Sequence, residues 1–453
     1  MVTEVPTAVG LEEPSKVRDT APPSAPKEVR LAPLPGAPGS RLRWYRPRTW
    51  PRDWLILVAY WSASRLLMLA LLRQGHDHIA AEVHVLYRRW DEQLRGGSFP
   101  IGDVSWQYPP GAAFVMIAPG LVPRISYLQA FVLLMLVSDA VVLLALVLAV
   151  HRGRGRSPAG AWMWALALPL LLSLPFARYD VLVTGLAVLA LLALPTRPRL
   201  GGTLVGLAAV IKVWPVLTVL GTPRGRTTRG AWLALTASAG VLLLMLATAF
   251  RGAFAFLFAQ QERGVEIESM GGAVLHAARL FGWPGEVKHQ YGSFEFVGPY
   301  VSSVAAASLL LTAAAFAWLL LWRVRARRWT DATPYDAALA AVLLFTTTSR
   351  VISPQYLIWL IGLAAVCLTV ERTTQRPVAV LLLLVAAVTT IDYPLFFSAV
   401  VGGSWQGTAV VVVRDGLLLA ATLLSCVRLW RATVPRRPRG AGRLPRPGHG
   451  AAP

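Results

Sequence analysis

Acidic side chains in the segment 73–110 are the residues of this chain best suited to general-base chemistry. The segment lies between two apolar stretches and carries five carboxylates beside four arginines, although the whole chain has a net charge of +21. A carboxylate in this setting can take the proton from an attacking hydroxyl group. We therefore expect a catalytic base among three of these side chains: Glu82, Asp91 and Asp103.

Aromatic side chains alternate with these carboxylates along the same segment. Their amphipathic rings are suited to stacking on sugar rings or to lying in a lipid headgroup region. We predict that three of them contact substrate: Tyr87, Trp106 and Tyr108.

Cations and polar groups suited to holding an anion recur later in the chain. Lys212 lies inside an apolar run, where an ionisable residue is a functional candidate by default, although lysine can also extend to the membrane surface. Residues 349–356 read SRVISPQY and predict a helix start capped by Ser353, and an arginine beside a helix N-terminus can bind an anion. The predicted phosphate or substrate ligands are Lys212, Arg263, Glu268, His289, Arg350, Gln355 and Tyr356. Arg178 and Asp180 are interpreted as an ion pair at a turn.

Hydrophobic patterning shows which elements must position these groups. The 453 residues are 55% apolar and only 15% charged, against about 25% charged in soluble proteins. Many apolar runs approach or exceed the roughly 20 residues that span a bilayer. The composition therefore predicts an all-α polytopic membrane protein with about 10–12 transmembrane helices, re-entrant or interfacial elements and two larger outer loops. The short run at 109–123 and the run at 203–221, which contains Lys212 and Pro215, are expected to be partial or broken elements.

Basic blocks set the predicted orientation. Cytoplasmic loops are enriched in Lys and Arg, and this rule puts both termini in the cytoplasm and the loops 73–110 and 251–299 outside a plasma membrane. Those two loops hold ten of the 23 acidic residues. We predict disordered tails at 1–48 and 431–453 around a membrane domain at 49–430. The basic excess is assigned to the membrane flanks rather than to nucleic-acid binding.

An active site on the outer face limits the donor. Nucleotide sugars and ATP are cytoplasmic, so a transferase on that side needs a donor already in the membrane, such as a polyprenyl-phosphate sugar. Its partners would be that lipid and a lipid or glycan acceptor. The two cysteines have no metal-binding spacing, and we expect neither a metal nor a cofactor beyond the lipid-linked co-substrate.

Four short stretches resemble glycosyltransferase family 87, in the GT-C superfamily. They are WQYPPG at 106–111, GLAAVIK at 206–212, RGVEIES at 263–269 and SPQYLIW at 353–359. The resemblance implies an inverting transferase on the outer face that uses a polyprenyl-phosphate sugar, with mannose as the sugar of the best-known members. It also implies helices along the membrane in the first outer loop, and an acid shortly before Tyr87. That acid's position falls near Val83, which makes the adjacent Glu82 its natural substitute and leaves Asp91 and Asp103 as alternatives. Lys212, Arg263 and Arg350 would hold the departing polyprenyl phosphate.

Two other classes of function remain open from the sequence. A lipid-linked substrate transporter or flippase would use the broken elements as discontinuous helices, although no internal repeat is visible. A non-catalytic partner in envelope assembly would bind lipid yet tolerate the loss of every loop carboxylate.

Overall fold

The computed structural model describes residues 51–74, 77–151, 155–255, 257 and 263–435. The predicted tail at 1–48 lies outside the described residues, as does the chain beyond residue 435. The last helix extends to Thr433, past the domain boundary predicted at residue 430.

Helices form most of the described chain. In chain order the α-helices are α1 Pro51–Arg73, α2 Asp77–Ala81, α3 Arg88–Arg95, α4 Ala112–Gly120, α5 Tyr127–Val150, α6 Ala159–Ala167, α7 Asp180–Ala193, α8 Pro198–Ile211, α9 Arg226–Ala249, α10 Met270–Leu280, α11 Val301–Arg325, α12 Thr333–Thr348, α13 Tyr356–Leu368, α14 Arg376–Thr390, α15 Phe397–Gly402 and α16 Trp405–Thr433. Glu82–Tyr87 and Ile391–Leu395 are π-helical, and Leu168–Leu171, Leu174–Phe176 and Trp214–Gly221 are 3₁₀-helical.

Six helices of the described chain are long and apolar enough to cross a membrane, namely α1, α5, α9, α11, α16 and α14 together with the π-helical turn that follows it. The shorter apolar helices α7 and α13 are enclosed by their neighbours, and α13 is buried along nearly all of its length. The prediction of a multi-span helical membrane protein is confirmed. The prediction of about 10–12 transmembrane helices counts the shorter apolar helices as well. Length and composition alone do not identify these shorter helices as membrane crossings.

Two glycines allow α8 and α9 to pack closely. Gly202 and Gly206 lie four residues apart on one face of α8, the small-xxx-small pattern of membrane helix pairs. A Cβ on Gly206 would lie 2.7 Å from the carbonyl oxygen of Leu235, so only glycine permits this approach. Helix α8 then ends at Ile211, the backbone of Lys212 is extended, and a 3₁₀-helix begins at Trp214. The predicted break in the run 203–221 is thus present.

Helix α4 has nine residues and spans about 14 Å at 1.5 Å per residue, less than half of a hydrocarbon core of about 30 Å. This length agrees with the partial element predicted at 109–123. The helix begins beside α8, because the Gly111 amide donates a hydrogen bond to the Val210 carbonyl at 3.0 Å.

A small antiparallel sheet is present in the second loop, although the prediction was for helices alone. Its strands are β1 Val265–Glu266, β2 Glu286–Gln290 and β3 Ser293–Val297, in the order β1-β3-β2. Tyr291 and Gly292 connect β2 to β3 and both have positive φ, as a tight hairpin requires. The sheet covers one side of the cavity described below.

Candidate active site

A cavity of about 1420 Å³ brings together residues from distant parts of the chain. Its walls come from the first loop, the turn before α7, the break after α8, the hairpin β2–β3, the segment between α12 and α13, and the chain from Tyr393 to Gly402. The predicted site residues that line it are Glu82, Tyr108, Lys212, Arg263, Glu268, His289, Arg350, Gln355 and Tyr356.

Glu82 is the first-loop carboxylate that faces this cavity. Its Oε2 lies 2.6 Å from Arg178 Nη2, and its Oε1 accepts hydrogen bonds from Tyr87 (2.9 Å) and Tyr108 (3.5 Å). The π-helical turn places Glu82 and Tyr87, five residues apart, on the same face. Although burial lowers the pKa of Arg178, the charge of Glu82 raises it above its ordinary value, and the arginine remains cationic beside the carboxylate.

Lys212 and Asp180 form a second ion pair in the cavity wall. Lys212 Nζ lies 2.6 Å from Asp180 Oδ1, and Trp359 Nε1 donates to the same oxygen at 2.5 Å. The ammonium group also lies 4.9 Å from the ring centre of Tyr179 and 5.0 Å from that of Trp359. The interpretation of Arg178 and Asp180 as a mutual ion pair is wrong, because each has a closer partner from another segment.

Charged residues of the second loop, Arg263 and Glu266 among them, line the cavity. Arg263 Nε contacts Glu295 Oε1 at 2.9 Å, and its Nη2 donates to Ser293 at 2.5 Å. Glu266 is 4% exposed and accepts a hydrogen bond from Ser353 at 3.1 Å. Burial raises the pKa of Glu266 to about 7, and the charge of Arg263 opposes the shift.

Arg414 forms ion pairs with three carboxylates behind the cavity. It contacts Glu268 at 3.1 Å, Asp415 at 2.8 Å and Asp392. Glu268 lines the cavity, and burial together with the charge of Asp392 raises its pKa well above the ordinary value. The predicted ligand Glu268 is therefore part of a shared buried network.

The segment from Ser349 to Tyr356 lines the cavity, but not with the predicted cap. Helix α13 begins at Tyr356 with Gln355 at its cap position and no side-chain capping bond. The prediction of Ser353 as the cap is wrong, because its hydroxyl donates to Glu266 instead. Burial and the charge of Arg263 lower the pKa of Arg350.

Four predicted site residues do not line the cavity. Asp91 is buried and forms a bidentate ion pair with Arg95 at 2.8 and 2.7 Å. Asp103 accepts hydrogen bonds from Trp90 (2.8 Å) and the Ser105 amide (2.9 Å) and pairs with Arg89. Burial raises the pKa of Asp103, but these bonds and that charge bring it below its ordinary value.

The remaining two are aromatic. Tyr87 and Trp106 are buried and pack with Trp90 in one aromatic cluster behind the wall. Tyr87 reaches the cavity only through its hydrogen bond to Glu82.

Several charged residues of this region were not among the predicted site residues. Glu266, Asp392, Arg414 and Asp415 are all buried. The last three interrupt apolar runs, and an ionisable residue within a membrane span is a signal of function or of a buried partner. For Glu266 the signal was its position between Arg263 and Glu268 in a stretch already singled out.

Among the described residues, no group of three or more His, Cys, Asp or Glu side chains could hold a metal ion. Cations of the protein itself supply the positive charge of the cavity: Arg178, Lys212, Arg263 and Arg350.

The fold and the cavity define an integral membrane protein of helical type, with a large cavity lined by ion-paired carboxylates and cations. Within that class, the family model of glycosyltransferase family 87 matches residues 106–354, more than half of the chain. The chain therefore belongs to glycosyltransferase family 87 and is a membrane glycosyltransferase.

Similarity beyond the family is low. Crystal structures of ArnT from Cupriavidus metallidurans, in the apo state and bound to undecaprenyl phosphate, are 13% and 14% identical, each with a TM-score of 0.44. Both matches cover 84% of this chain, and they cover 78% and 79% of the ArnT chains. No curated protein matches the sequence.

Proposed function

We propose that this glycosyltransferase moves a sugar from a polyprenyl-phosphate donor to a hydroxyl of an envelope lipid or glycan, with inversion, on the extracytoplasmic face. The proposal rests on Glu82, a carboxylate that faces a cavity of about 1420 Å³. The wall of the same cavity also contains four cations: Arg178, Lys212, Arg263 and Arg350. A base and a group of cations in one cavity are what transfer from a sugar phosphate requires.

Glu82 acts as the general base in this proposal. It takes the proton from the acceptor hydroxyl, whose oxygen attacks the anomeric carbon opposite the bond to phosphate. That bond breaks, and its electron pair leaves with the polyprenyl phosphate. Arg178, 2.6 Å from Glu82, holds the carboxylate in place, while Tyr87 and Tyr108 fix the rotation of its other oxygen.

Cations hold the leaving phosphate. Lys212 presents a compact charge with three donors, of which Asp180 accepts one. Arg263 and Arg350 also line the cavity, and burial and the charge of Arg263 lower the pKa of Arg350. With these side chains neutralising the phosphate, the reaction proceeds without an obligatory metal ion.

Geometry favours Glu82 over the two other carboxylates predicted as bases. Both oxygens of Asp91 are bound by Arg95, and both oxygens of Asp103 accept hydrogen bonds within the first loop. Neither side chain lines the cavity. Their role is to hold α3 and the following turn in shape.

The test is sugar transfer by purified protein in nanodiscs, with radiolabelled polyprenyl-phosphate mannose and a membrane glycolipid extract. Mannose is the first sugar to test because of the family resemblance. We expect Glu82→Gln to lower transfer by about 10²–10⁴-fold, the usual contribution of a positioned base, with donor binding retained. Asp91→Asn and Asp103→Asn are matched controls that retain transfer. Full activity of Glu82→Gln would remove Glu82 from the chemistry.

A further inference from the structure

Glu266 is held rigidly at the edge of the cavity. Its amide donates to the Arg350 carbonyl at 3.0 Å, and it lies opposite Glu295 in the pairing of β1 with β3. Ser353 donates to Oε1 at 3.1 Å. The backbone is thus held by two segments, β3 and the chain between α12 and α13, and the second of these also holds one carboxylate oxygen.

The second oxygen of this carboxylate has no donor. Oε2 is buried and accepts no hydrogen bond from any residue that the structure describes. Arg263, whose charge opposes the raised pKa of Glu266, is engaged by Glu295 and Ser293. A buried carboxylate oxygen without a donor is costly, and the terminal torsion of glutamate is soft enough to turn this oxygen toward a group in the cavity.

Trp214 lines the same cavity and carries a hydrogen-bond donor rather than an acceptor. Its Nε1 is a buried donor with no acceptor among the described residues. Its ring stacks on Trp359 with ring centres 5.2 Å apart, and Trp359 stacks on Tyr356 at 3.9 Å. Tyr356 in turn is close enough to Glu266 for the two groups to interact electrostatically.

These features match the chemistry of a sugar ring. Sugar hydroxyls both donate and accept hydrogen bonds, and the C–H faces of the ring pack on aromatic side chains. A phosphate group is a poor fit, because it presents acceptors and negative charge to a carboxylate. Cations lie beside this wall, since the Glu266 amide donates to the Arg350 carbonyl and Lys212 lies 5.0 Å from the ring of Trp359. Oε2 of Glu266 and Nε1 of Trp214 are nevertheless groups that suit sugar hydroxyls, whereas the neighbouring cations suit phosphate.

We propose that Glu266 accepts a hydrogen bond from a hydroxyl of the transferred sugar, with Trp214 donating to another oxygen of the same ring. The inference rests on the proposed function and extends it by separating the subsite for the sugar from the one for the lipid phosphate. Glu266 selects the donor by its sugar, whereas Glu82 serves the acceptor.

The test compares binding of two lipids to the full-length protein in nanodiscs at pH 8: polyprenyl-phosphate mannose and polyprenyl phosphate. We expect Glu266→Gln to weaken binding of the mannose lipid by about 10–100-fold, the size of a lost hydrogen bond to a charged group. Binding of polyprenyl phosphate should change less than about twofold. Trp214→Phe, which retains an aromatic ring, should weaken only the mannose lipid, by about 3–10-fold.

Asp336→Asn is the matched control. Asp336 is a buried carboxylate held by Thr373 and Thr374 and does not line the cavity, so this variant should bind both lipids as the wild type does. Equal weakening of both lipids by Glu266→Gln would overturn the inference, and so would lost transfer with unchanged binding of the mannose lipid. Wild-type protein that binds neither lipid would overturn the proposed function and this inference with it.

Discussion

The π-helical turn at Glu82–Tyr87 presents a carboxylate of the first loop, Glu82, to the cavity. A π-helix makes i→i+5 hydrogen bonds, occurs mostly as single turns and is frequent at functional sites. Here it joins Glu82 to Tyr87 across five residues and leaves Val83 fully buried. The family resemblance puts an acid near Val83, so the wide turn provides a physical account of how the adjacent Glu82 can take its place.

A double variant tests this account. In Glu82→Gln/Val83→Asp the new carboxylate would occupy a fully buried position without a partner, which is costly. We therefore expect no recovery of transfer over Glu82→Gln alone, together with a lower thermal midpoint in detergent. Glu82→Asp, which keeps the charge one methylene shorter, is the control and should retain more transfer than the amide. Restored activity in the double variant would show that position 83 reaches the cavity.

Glu266 should give donor binding a pH dependence. Its pKa is raised to about 7 by burial, and its ionised form is the better acceptor for a sugar hydroxyl. Affinity for polyprenyl-phosphate mannose should therefore rise between pH 6 and 8, because the phosphodiester itself does not titrate there. Glu266→Gln should remove this rise, as measured by binding at fixed ionic strength.

Other charged and titratable groups surround Glu266 and belong in the interpretation. They are Arg263, Glu268, Glu295, Tyr356 and Arg414. Any slope that remains in Glu266→Gln reports these groups, so the difference between the two profiles is the quantity to interpret. Identical profiles would contradict the assignment of the titration to Glu266.

At the scale of elements, the start of α4 and the end of α8 define one wall of the cavity. Gly111 and Val210 are joined by a backbone hydrogen bond of 3.0 Å. Tyr108 lies three residues before Gly111, and Lys212 two residues after Val210, so this contact constrains the spacing between these two cavity-lining side chains. The close approach of Val210 thus explains why the WQYPPG stretch has a glycine at position 111.

We expect Gly111→Ala to disturb this wall. A Cβ on Gly111 would lie 2.6 Å from the carbonyl oxygen of Val210, and backbone cannot yield as a flexible side chain does. The expected cost is about 1–3 kcal/mol of stability, with transfer reduced because Tyr108 and Lys212 move apart. The measurements are the thermal midpoint in detergent and the initial rate of transfer.

Gly240→Ala is the matched control for that prediction. Gly240 lies within α9, and a Cβ there would meet nothing within 4 Å. Alanine is the better helix former, so stability should hold or rise and transfer should stay at the wild-type level. Equal effects of the two substitutions would mean that the contact at Gly111 is not what matters.

The sequence predicts elements of this protein better than it predicts contacts between them. Helix α5 has a strong local signal, because most of its 24 residues are apolar and Ser126 caps its start. The sheet was not predicted, since its strands are at most five residues long and β2 is largely exposed. Pairing of such short strands depends on tertiary surroundings that local patterns do not encode.

For the site residues too, the sequence predicted which residues line the cavity better than it predicted their partners. Residue type and location were enough to propose Glu82, Lys212 and Arg263, all of which line the cavity. Partners were not predictable, because Arg414 meets Glu268 across 146 positions of sequence. Asp91 and Asp103 show the converse, since an acid in a functional loop can be fully occupied by local hydrogen bonds.

At the scale of the whole molecule, the cavity lies at one end of the helix bundle. Helix α13 starts at Tyr356 in the cavity wall and ends at Leu368. Just beyond it, Thr373 donates a hydrogen bond to Asp336 near the start of α12, whose other end returns to the cavity at Phe345. The turn at 371–375 is therefore at the opposite end of the bundle. Many apolar side chains on the long helices are exposed, such as Leu310 at 72% and Val241 at 68%, as expected of surfaces that face lipid.

Which end faces the cytoplasm decides what donor the enzyme can use. Only a donor carried by the membrane is available outside, whereas nucleotide sugars are available inside, so the proposed function depends on this orientation. The chain suits a cysteine-labelling test, because its two native cysteines, Cys367 and Cys426, are both buried. Phe281 (91% exposed) follows α10 in the second loop, and Arg372 lies in the exposed turn at the far end of the bundle.

We expect a membrane-impermeant maleimide to label Phe281→Cys in intact cells and Arg372→Cys only after permeabilisation, because basic blocks favour the cytoplasmic side. The unmodified protein is the control for background labelling, and sugar transfer by each variant verifies that it is folded. The measurement is labelled fraction, resolved on gels, with and without permeabilisation. The reverse pattern would place the cavity at the cytoplasmic face, where a nucleotide sugar could reach it, and would remove the argument for a polyprenyl-phosphate donor while leaving the geometry of Glu82 and its cations intact.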